Sequence, residues 1–216
     1  MDGAINVAAT GFIVKAKGPY TTVDALKSAK GLRFGSSAPA SLVTLQLINA
    51  AEILGLDAKI SCGIKSSAKY LGLQQGELDA YTRPIDTAMA DVKDGLTKIL
   101  FTISLQRDKD FPDVPAIGEF INLTDEDKKL ISAVPEDYKM YFAPPNTPKD
   151  RVAFLRKSFD KMCNDKGFQK AMGRLSDRWA GAISGQELED LAKDLAKDKA
   201  KYKNLYQSLI AKYVIR

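Results

Sequence analysis

Short loops of small and polar residues stand before two predicted helices, and each loop follows a predicted strand. The first turn of a helix has backbone N–H groups without intrahelical acceptors, and the helix dipole adds positive potential there. Such a loop suits a bound anion, with serine hydroxyls as further donors. A plain turn, in which Ser41 or Ser66 only caps its helix, is the alternative. The candidate anion-binding residues of these loops are Ser36, Ser37, Ala38, Ala40, Ser41, Ser66 and Ser67.

A third group of candidates follows the strand predicted for Gly76 to Tyr81. Arg83 has the geometry to hold a carboxylate through two parallel N–H bonds, or it pairs with Asp86 three residues on. Tyr81 either stacks on a ligand or packs in the core, and Thr82 offers a hydroxyl. Ligands of open α/β sheets bind at the carboxyl ends of the strands, so these residues belong to the same predicted site.

Most catalytic chemistry is excluded by residue type. The chain has no histidine, and its two cysteines, Cys62 and Cys163, stand far apart without CxxC spacing. A zinc site and a histidine-based triad are therefore not expected, and no GxSxG, P-loop or GxGxxG motif is present. The two cysteines form either one disulfide or two buried thiols. We expect no catalytic residue, no metal and no cofactor.

The composition is that of an ordinary globular protein, with 45% hydrophobic and 27% charged residues and a net charge of +5. Most lysines lie in mixed-sign runs such as Lys193 to Lys203, which indicates a solvated helix face and no nucleic-acid partner. A modest positive field favours small anions. No apolar run is long enough to span a bilayer, and the residues after Met1 show no secretory signal.

Strands and helices alternate through the first hundred residues. This alternation predicts an α/β fold with a parallel-rich sheet flanked by helices. The predicted strands are Ile5 to Val14 (one or two strands), Leu32 to Gly35, Ala58 to Ser61, Gly76 to Tyr81 and Leu100 to Ser104. The predicted helices are Thr22 to Ala29, Leu42 to Leu54, Ser66 to Leu73 and Ile85 to Asp94.

After Gln106 the sequence pattern changes to a proline-punctuated loop, and one more strand is predicted at Tyr138 to Phe142. Thr147 is predicted to cap a helix with Pro148 at its first position, and Ser184 to Glu187 forms a capping box. Everything from Pro148 to Arg216 is predicted to be helical. These helices have apolar faces, but no predicted strand accompanies them, so the sheet on which they pack would be missing.

Four stretches resemble the substrate-binding proteins of tripartite tricarboxylate transporters, the Bug-type periplasmic receptors. They are Phe34-Gly35-Ser36-Ser37, Gly76-Glu77-Leu78-Asp79, Phe111-Pro112-Asp113-Val114-Pro115 with Glu119, and Ala143-Pro144-Pro145-Asn146-Thr147-Pro148. The resemblance implies a periplasmic-binding-protein type II fold, a Venus flytrap of two domains with a ligand cleft at the hinge. It implies a receptor, not an enzyme, that captures a small organic anion, expected to be a carboxylate, outside the cytoplasm and delivers it to a membrane permease.

The chain also departs from this family. Nothing matches the family's signal peptide and first βα region, and Cys62 to Ser67 replaces its Tyr-Lys-Gly-like turn. The resemblance therefore implies that residues 1–142 form the second domain and residues 143–216 a helical remainder of the first. Two alternatives stay open: a cytoplasmic module that self-associates through its helical region, and a small enzyme with Cys62 as nucleophile, which requires a lowered thiol pKa.

Overall fold

The computed structural model describes residues 2–6, 9–134, 138–175, 181–197 and 199–215. The chain forms two compact units: unit 1 comprises Met1–Ala8 and Glu136–Ala200, and unit 2 comprises Ala9–Pro135 and Lys201–Arg216. This division differs from the expected boundary at residues 142 and 143. The first eight residues belong to unit 1 together with the later part of the chain. The last sixteen residues belong to unit 2 together with the earlier part.

The helices and strands are numbered in chain order. The strands are β1 (Gly3–Asn6), β2 (Thr10–Lys15), β3 (Leu32–Gly35), β4 (Ala58–Ser61), β5 (Ala80–Pro84), β6 (Thr97–Thr102), β7 (Tyr138–Tyr141), β8 (Ala182–Ser184) and β9 (Val214–Ile215). The helices are α1 (Val23–Ser28), α2 (Leu42–Leu54), α3 (Ser66–Gln75), α4 (Ile85–Lys93), α5 (Asp125–Ala133), α6 (Lys149–Cys163), α7 (Lys166–Leu175), α8 (Gly185–Lys197) and α9 (Lys199–Tyr213).

Unit 2 is built on a six-stranded sheet in the order β6-β2-β5-β3-β4-β9. β3 pairs in parallel with β4 and β5, and β4 with β9, whereas β2 is antiparallel to both of its neighbours. The predicted α/β class and parallel-rich sheet are confirmed. Because β3, β4 and β5 run in the same direction, their carboxyl ends meet at one edge of the sheet, where the predicted site residues lie.

Aromatic side chains form the centre of unit 2. Phe12, Phe34 and Phe101 are fully buried. The Phe12 ring stacks on Phe101 at 4.8 Å between centroids and meets Phe34 edge-on at 5.5 Å. Such aromatic pairs add to the free energy of burial, so these rings join β2, β3 and β6 firmly. The core thereby fixes the strand ends that carry the site.

The end of the chain belongs to this core. β9 pairs with β4, and Tyr206, Leu209 and Tyr213 of α9 are buried among the residues of unit 2. The Tyr206 hydroxyl donates a hydrogen bond of 2.9 Å to the Asn49 side chain of α2. The prediction that the chain is helical from Pro148 onward was therefore wrong at β8 and β9. These strands have three and two residues, too short for a periodic pattern to indicate.

Unit 1 contains an antiparallel sheet in the order β7-β1-β8, against which α6 and α8 pack. Ile5 of β1 is buried with Phe159 and Cys163 of α6. The expectation that the C-terminal helices lack a sheet was thus wrong. Their sheet draws one strand from the beginning of the chain, and pairing over such a sequence distance leaves no local signal.

Of the two helix caps predicted after residue 142, one is present and the other is not. Thr22, Thr124 and Ser184 cap their helices, and the capping box of Ser184 with Glu187 is present. Thr147 does not cap α6: its hydroxyl donates to the Pro144 carbonyl at 2.7 Å, and Pro148 holds the cap position without a side-chain bond.

Candidate functional site

The loops that follow β3 and β4 are joined by backbone hydrogen bonds. The Ser36 amide donates to the Ser61 carbonyl at 2.8 Å, and the Gly63 and Ile64 amides donate to Ser37 and Ser36 carbonyls at 3.0 Å each. Gly63 has a φ of 86°, a left-handed conformation that glycine adopts without strain. The beginnings of α2 and α3 are therefore held side by side at the carboxyl edge of the sheet.

The hydroxyl of Thr44 organises the loop in front of α2. Its oxygen lies 2.5 Å from the Ser36 hydroxyl and 2.7 Å from the Ser41 hydroxyl, and it donates to the Ala38 carbonyl. A hydroxyl has one hydrogen, so Ser36 and Ser41 must be the donors toward Thr44. Ser36 is also buried. These two predicted ligand residues therefore shape the loop. Ser37 is exposed, and its hydroxyl lies 3.4 Å from that of Ser41. Thr44, inside the helix, was not predicted.

Both helices begin with free backbone donors. Neither α2 nor α3 has a side-chain cap bond or an acidic residue in its first turn. Ser37, Ala38, Ala40, Ser66 and Ser67 are exposed around these helix ends. The suggestion that Ser41, Ser66 or Ser67 caps a helix through its side chain is wrong: α3 begins after Lys65. Uncapped amides and two helix dipoles make this edge a candidate anion-binding site.

Thr82 and Arg83 lie within β5, which extends from Ala80 to Pro84, and do not follow it as predicted. Successive side chains of a strand point to opposite faces. Thr82 is buried on the α2 face, where its hydroxyl donates to the Val43 carbonyl at 2.7 Å. Thr82 therefore positions the first turn of α2. Tyr81 and Arg83 project from the other face of the sheet.

The guanidinium of Arg83 is already engaged on one side. Its Nη1 lies 3.2 Å from Asp91 of α4, and its Nε donates to the Thr87 hydroxyl at 3.0 Å. The predicted pairing of Arg83 with Asp86 is wrong. Arg83 instead forms its ion pair with Asp91, about a turn and a half further along α4. Nη2 forms no hydrogen bond with any described residue, so one donor edge of Arg83 remains.

Tyr81 is buried, with 1% of its surface exposed. Its hydroxyl makes no hydrogen bond of good geometry within the described residues, although the Arg83 guanidinium is close enough to interact with it. Burial raises the pKa of Tyr81 to about 12, an effect that the nearby positive charge of Arg83 reduces in part. The phenol is therefore neutral at physiological pH and retains an unused donor.

Lys69 of α3 was not predicted as a site residue. It is only 5% exposed, and its ammonium lies over the Tyr81 ring, 5.7 Å from the centroid. Burial, and secondly the charge of Arg83, lower the pKa of Lys69. The sequence contains many lysines, and only its burial distinguishes this one.

Cys62 does not have the properties of a nucleophile. It is a free thiol of intermediate burial, and desolvation raises its pKa. A reactive cysteine needs the opposite shift. Cys163 is also a free thiol, so of the two alternatives the separate thiols are present. Within the described residues, no three potential metal ligands of the histidine, cysteine or acidic types cluster together.

Two cavities lie away from the predicted residues. One of about 320 Å³ lies at the opposite end of the sheet in unit 2, beside the Arg33–Asp79 ion pair. Another of about 280 Å³ lies in unit 1 between α6 and β8, beside Cys163. Among the helices that the structure describes, none is both long and apolar enough for a transmembrane span.

The fold is shared with solved structures of solute-binding proteins. The sequence matches no family model, and no curated protein matches it. A TctC solute-binding protein from Polaromonas has a TM-score of 0.65 at 22% identity, over 98% of this chain and 68% of that one. The periplasmic binding protein BugD has a TM-score of 0.69 at 19% identity, over 96% and 68%. MatC from Rhodopseudomonas palustris, with bound malate, has a TM-score of 0.66 at 16% identity, over 97% and 68%. The chain thus has the periplasmic-binding-protein type II fold, as predicted.

Proposed function

We propose that this chain is a solute-binding receptor of the tricarboxylate-transporter type, which captures a small carboxylate outside the cytoplasm and performs no chemistry on it. The observation that carries the proposal is the pair of uncapped helix beginnings, α2 and α3, at one edge of the sheet. Both direct free amides to the same edge, and no acidic side chain in either first turn competes for them. Such an edge favours an anion over a neutral or cationic ligand.

The resemblance in fold supports a carboxylate as the ligand class. One similar structure contains malate, and another, from R. palustris, contains adipate. In this chain, Ser37 and the amides around Ala38 and Ala40 would bind the carboxylate, with Ser66, Ser67 and the free edge of Arg83 beside them. Ser36, Ser41 and Thr82 would support these groups from behind. Delivery to a membrane permease and an extracytoplasmic location are parts of the same proposal.

A thermal-shift screen tests this function. The panel contains mono-, di- and tricarboxylates, malate and adipate included, with aromatic acids and amino acids beside them. A true ligand at about 100 times its Kd stabilises the folded chain by about 2.7 kcal/mol. We expect shifts with carboxylates only. In Ser37→Ala the ligand affinity should fall by about 10-fold or more, because one hydrogen bond to a charged group is lost.

The matched control is Ser28→Ala in α1, which removes another exposed serine whose hydroxyl bonds only to its own helix, at Asp24. This variant should bind like the unmodified chain. Arg83→Ala should weaken binding as well, with a small loss of stability from the exposed ion pair to Asp91. A panel in which no carboxylate shifts the melting temperature would reject the receptor proposal.

A second function, self-association, is favoured by a separate observation in unit 1. Several large apolar side chains there are exposed: Met140 47%, Tyr141 46%, Phe142 60%, Phe154 68% and Leu155 40%. Phe154 and Leu155 lie on α6, and exposed apolar surface of this kind is typical of an interface. We propose that unit 1 supports pairing of two copies.

Sedimentation velocity tests the pairing without ligand. A dimer that becomes monomeric in Phe142→Ser combined with Phe154→Ser would support self-association. Leu105→Ser, which replaces a residue of unit 2 that is 46% exposed, is the control and should leave the dimer intact. If the chain is monomeric at all concentrations, the self-association proposal is rejected. That result would not affect the carboxylate-binding proposal.

A further inference from the structure

Lys69 is a buried charge without a counter-ion. Only 5% of its surface is exposed, and it has no acidic partner among the residues that the structure describes. An isolated ammonium loses much of its hydration on burial, which is costly unless an opposite charge or hydrogen bonds replace the water. The lysine lies in α3, one turn after the exposed Ser66 at the carboxyl edge of the sheet. Its place in the fold is therefore next to the proposed binding edge.

The groups around Lys69 leave its charge unbalanced. Arg83 and Asp91 pair with each other, and this ion pair has no net charge. The Asp86 carboxylate accepts from the Thr87 amide at 2.6 Å. The face of the Tyr81 ring compensates the ammonium in part, since a cation over an aromatic face is attracted by the ring. Among the described residues, none forms an ion pair with Lys69 itself.

The Tyr81 hydroxyl supplies the second, independent observation. It is buried and makes no hydrogen bond of good geometry in the described part of the chain. Buried hydroxyls almost always find a partner, so this hydroxyl is available to a bound group. The Lys69 ammonium can only donate hydrogen bonds, and the neutral phenol of Tyr81 has a proton to donate. A carboxylate oxygen can accept from both.

We propose that Lys69 is the charged anchor of the anion site, where its ammonium and the Tyr81 hydroxyl bind one carboxylate group of the ligand. This inference rests on the proposed receptor function and adds the charge that the serine loop lacks. The amides of α2 and α3 supply dipoles, whereas Lys69 supplies a positive charge on a side chain that is only 5% exposed. Electrostatic attraction is stronger there than at an exposed lysine.

Replacement of Lys69 by methionine tests the anchor. Methionine keeps most of the length and apolar contacts of lysine and removes the charge. We expect Lys69→Met to raise the melting temperature of the ligand-free chain, because an uncompensated buried charge is gone. We also expect the affinity for the carboxylates found in the screen to fall by about 30-fold or more. Tyr81→Phe should cause a smaller loss.

Lys27→Met is the matched control, since Lys27 is an exposed lysine of α1. This variant should change neither the melting temperature of the ligand-free chain nor the affinity for carboxylates.

A second titration uses sodium phosphate and sodium sulfate against sodium chloride at equal ionic strength. A small anion-binding site responds to these ions even when the natural ligand is not in the panel.

The outcomes separate the two proposals. Loss of the carboxylate response in Lys69→Met supports both. An unchanged carboxylate response in that variant overturns the role of Lys69 and leaves the receptor function standing. A response to phosphate or sulfate alone, lost in Lys69→Met, supports the anion anchor and rejects the carboxylate receptor. No response to any anion in the unmodified chain overturns both.

Discussion

Phe12→Ala is expected to reduce the free energy of unfolding of unit 2 by about 3–5 kcal/mol, the range for truncating a buried phenylalanine. The ring is fully buried and contacts both Phe34 and Phe101. Its removal leaves a cavity at the junction of three strands and breaks both aromatic pairs. Since domains are stable by only about 5–15 kcal/mol, this change removes a large part of the total.

The consequence should reach the binding edge. Phe12 is paired across the strands with Thr82, whose hydroxyl holds the first turn of α2. We therefore expect a weaker ligand response as well as a lower urea midpoint, measured by far-UV circular dichroism. Phe120→Ala is the control within unit 2, because Phe120 is 39% exposed and should cost less than half as much. Equal losses in the two variants would contradict the importance of the Phe12 ring.

Asn49→Ala is expected to destabilise unit 2 by about 2–4 kcal/mol. The Asn49 side chain is fully buried, donates to the Leu130 carbonyl at 2.9 Å and accepts from the Tyr206 hydroxyl. It thus joins α2 to α5 and α9. Alanine would leave the buried carbonyl and hydroxyl with poorer partners, and an unsatisfied buried group costs about 1–3 kcal/mol. The Tyr206 hydroxyl can still reach the Leu130 carbonyl, at 3.3 Å, which limits the loss.

Urea unfolding measures this effect, with the exposed Asn122→Ala as the control, which should change stability by less than about 0.5 kcal/mol. Tyr206→Phe removes only the hydroxyl and should cost less than Asn49→Ala. In the double variant the two losses should not add, because both remove the same hydrogen bond. Strict additivity would show that Asn49 and Tyr206 do not stabilise the fold through each other.

Variants that destabilise the fold should also weaken ligand binding, but variants that weaken binding need not destabilise the fold. Phe12 and Asn49 are in the core, so their replacement should weaken binding through loss of the folded unit. Ser37 and Lys69 are at the edge, and their replacement should change binding with little loss of stability, or with a gain for Lys69. Melting temperatures with and without ligand therefore separate the two classes of residue.

The sequence by itself determined the local elements. Leu42–Leu54, Leu32–Gly35 and Ala58–Ser61 were predicted with the bounds that the structure shows. Strongly periodic apolar residues and small-residue loops are local signals, and alternation of strands and helices was sufficient for the α/β class. The type of loop before α2 also sufficed to indicate anion binding, and the absence of histidine argued against a zinc site or a histidine-based triad. The residues Ser37, Ser66 and Ser67 were predicted and are exposed at the expected edge.

Tertiary structure alone decided which residues of that edge are free and which are used by the fold. Thr44 engages the hydroxyls of Ser36 and Ser41, because the helix turns its side chain back onto the loop. Burial distinguishes Lys69 from the exposed lysines, and burial is a property of packing that no sequence spacing encodes. The strands β1, β8 and β9 are short and pair with distant segments. Their places follow from hydrogen bonds between remote parts of the chain, which a local pattern cannot specify.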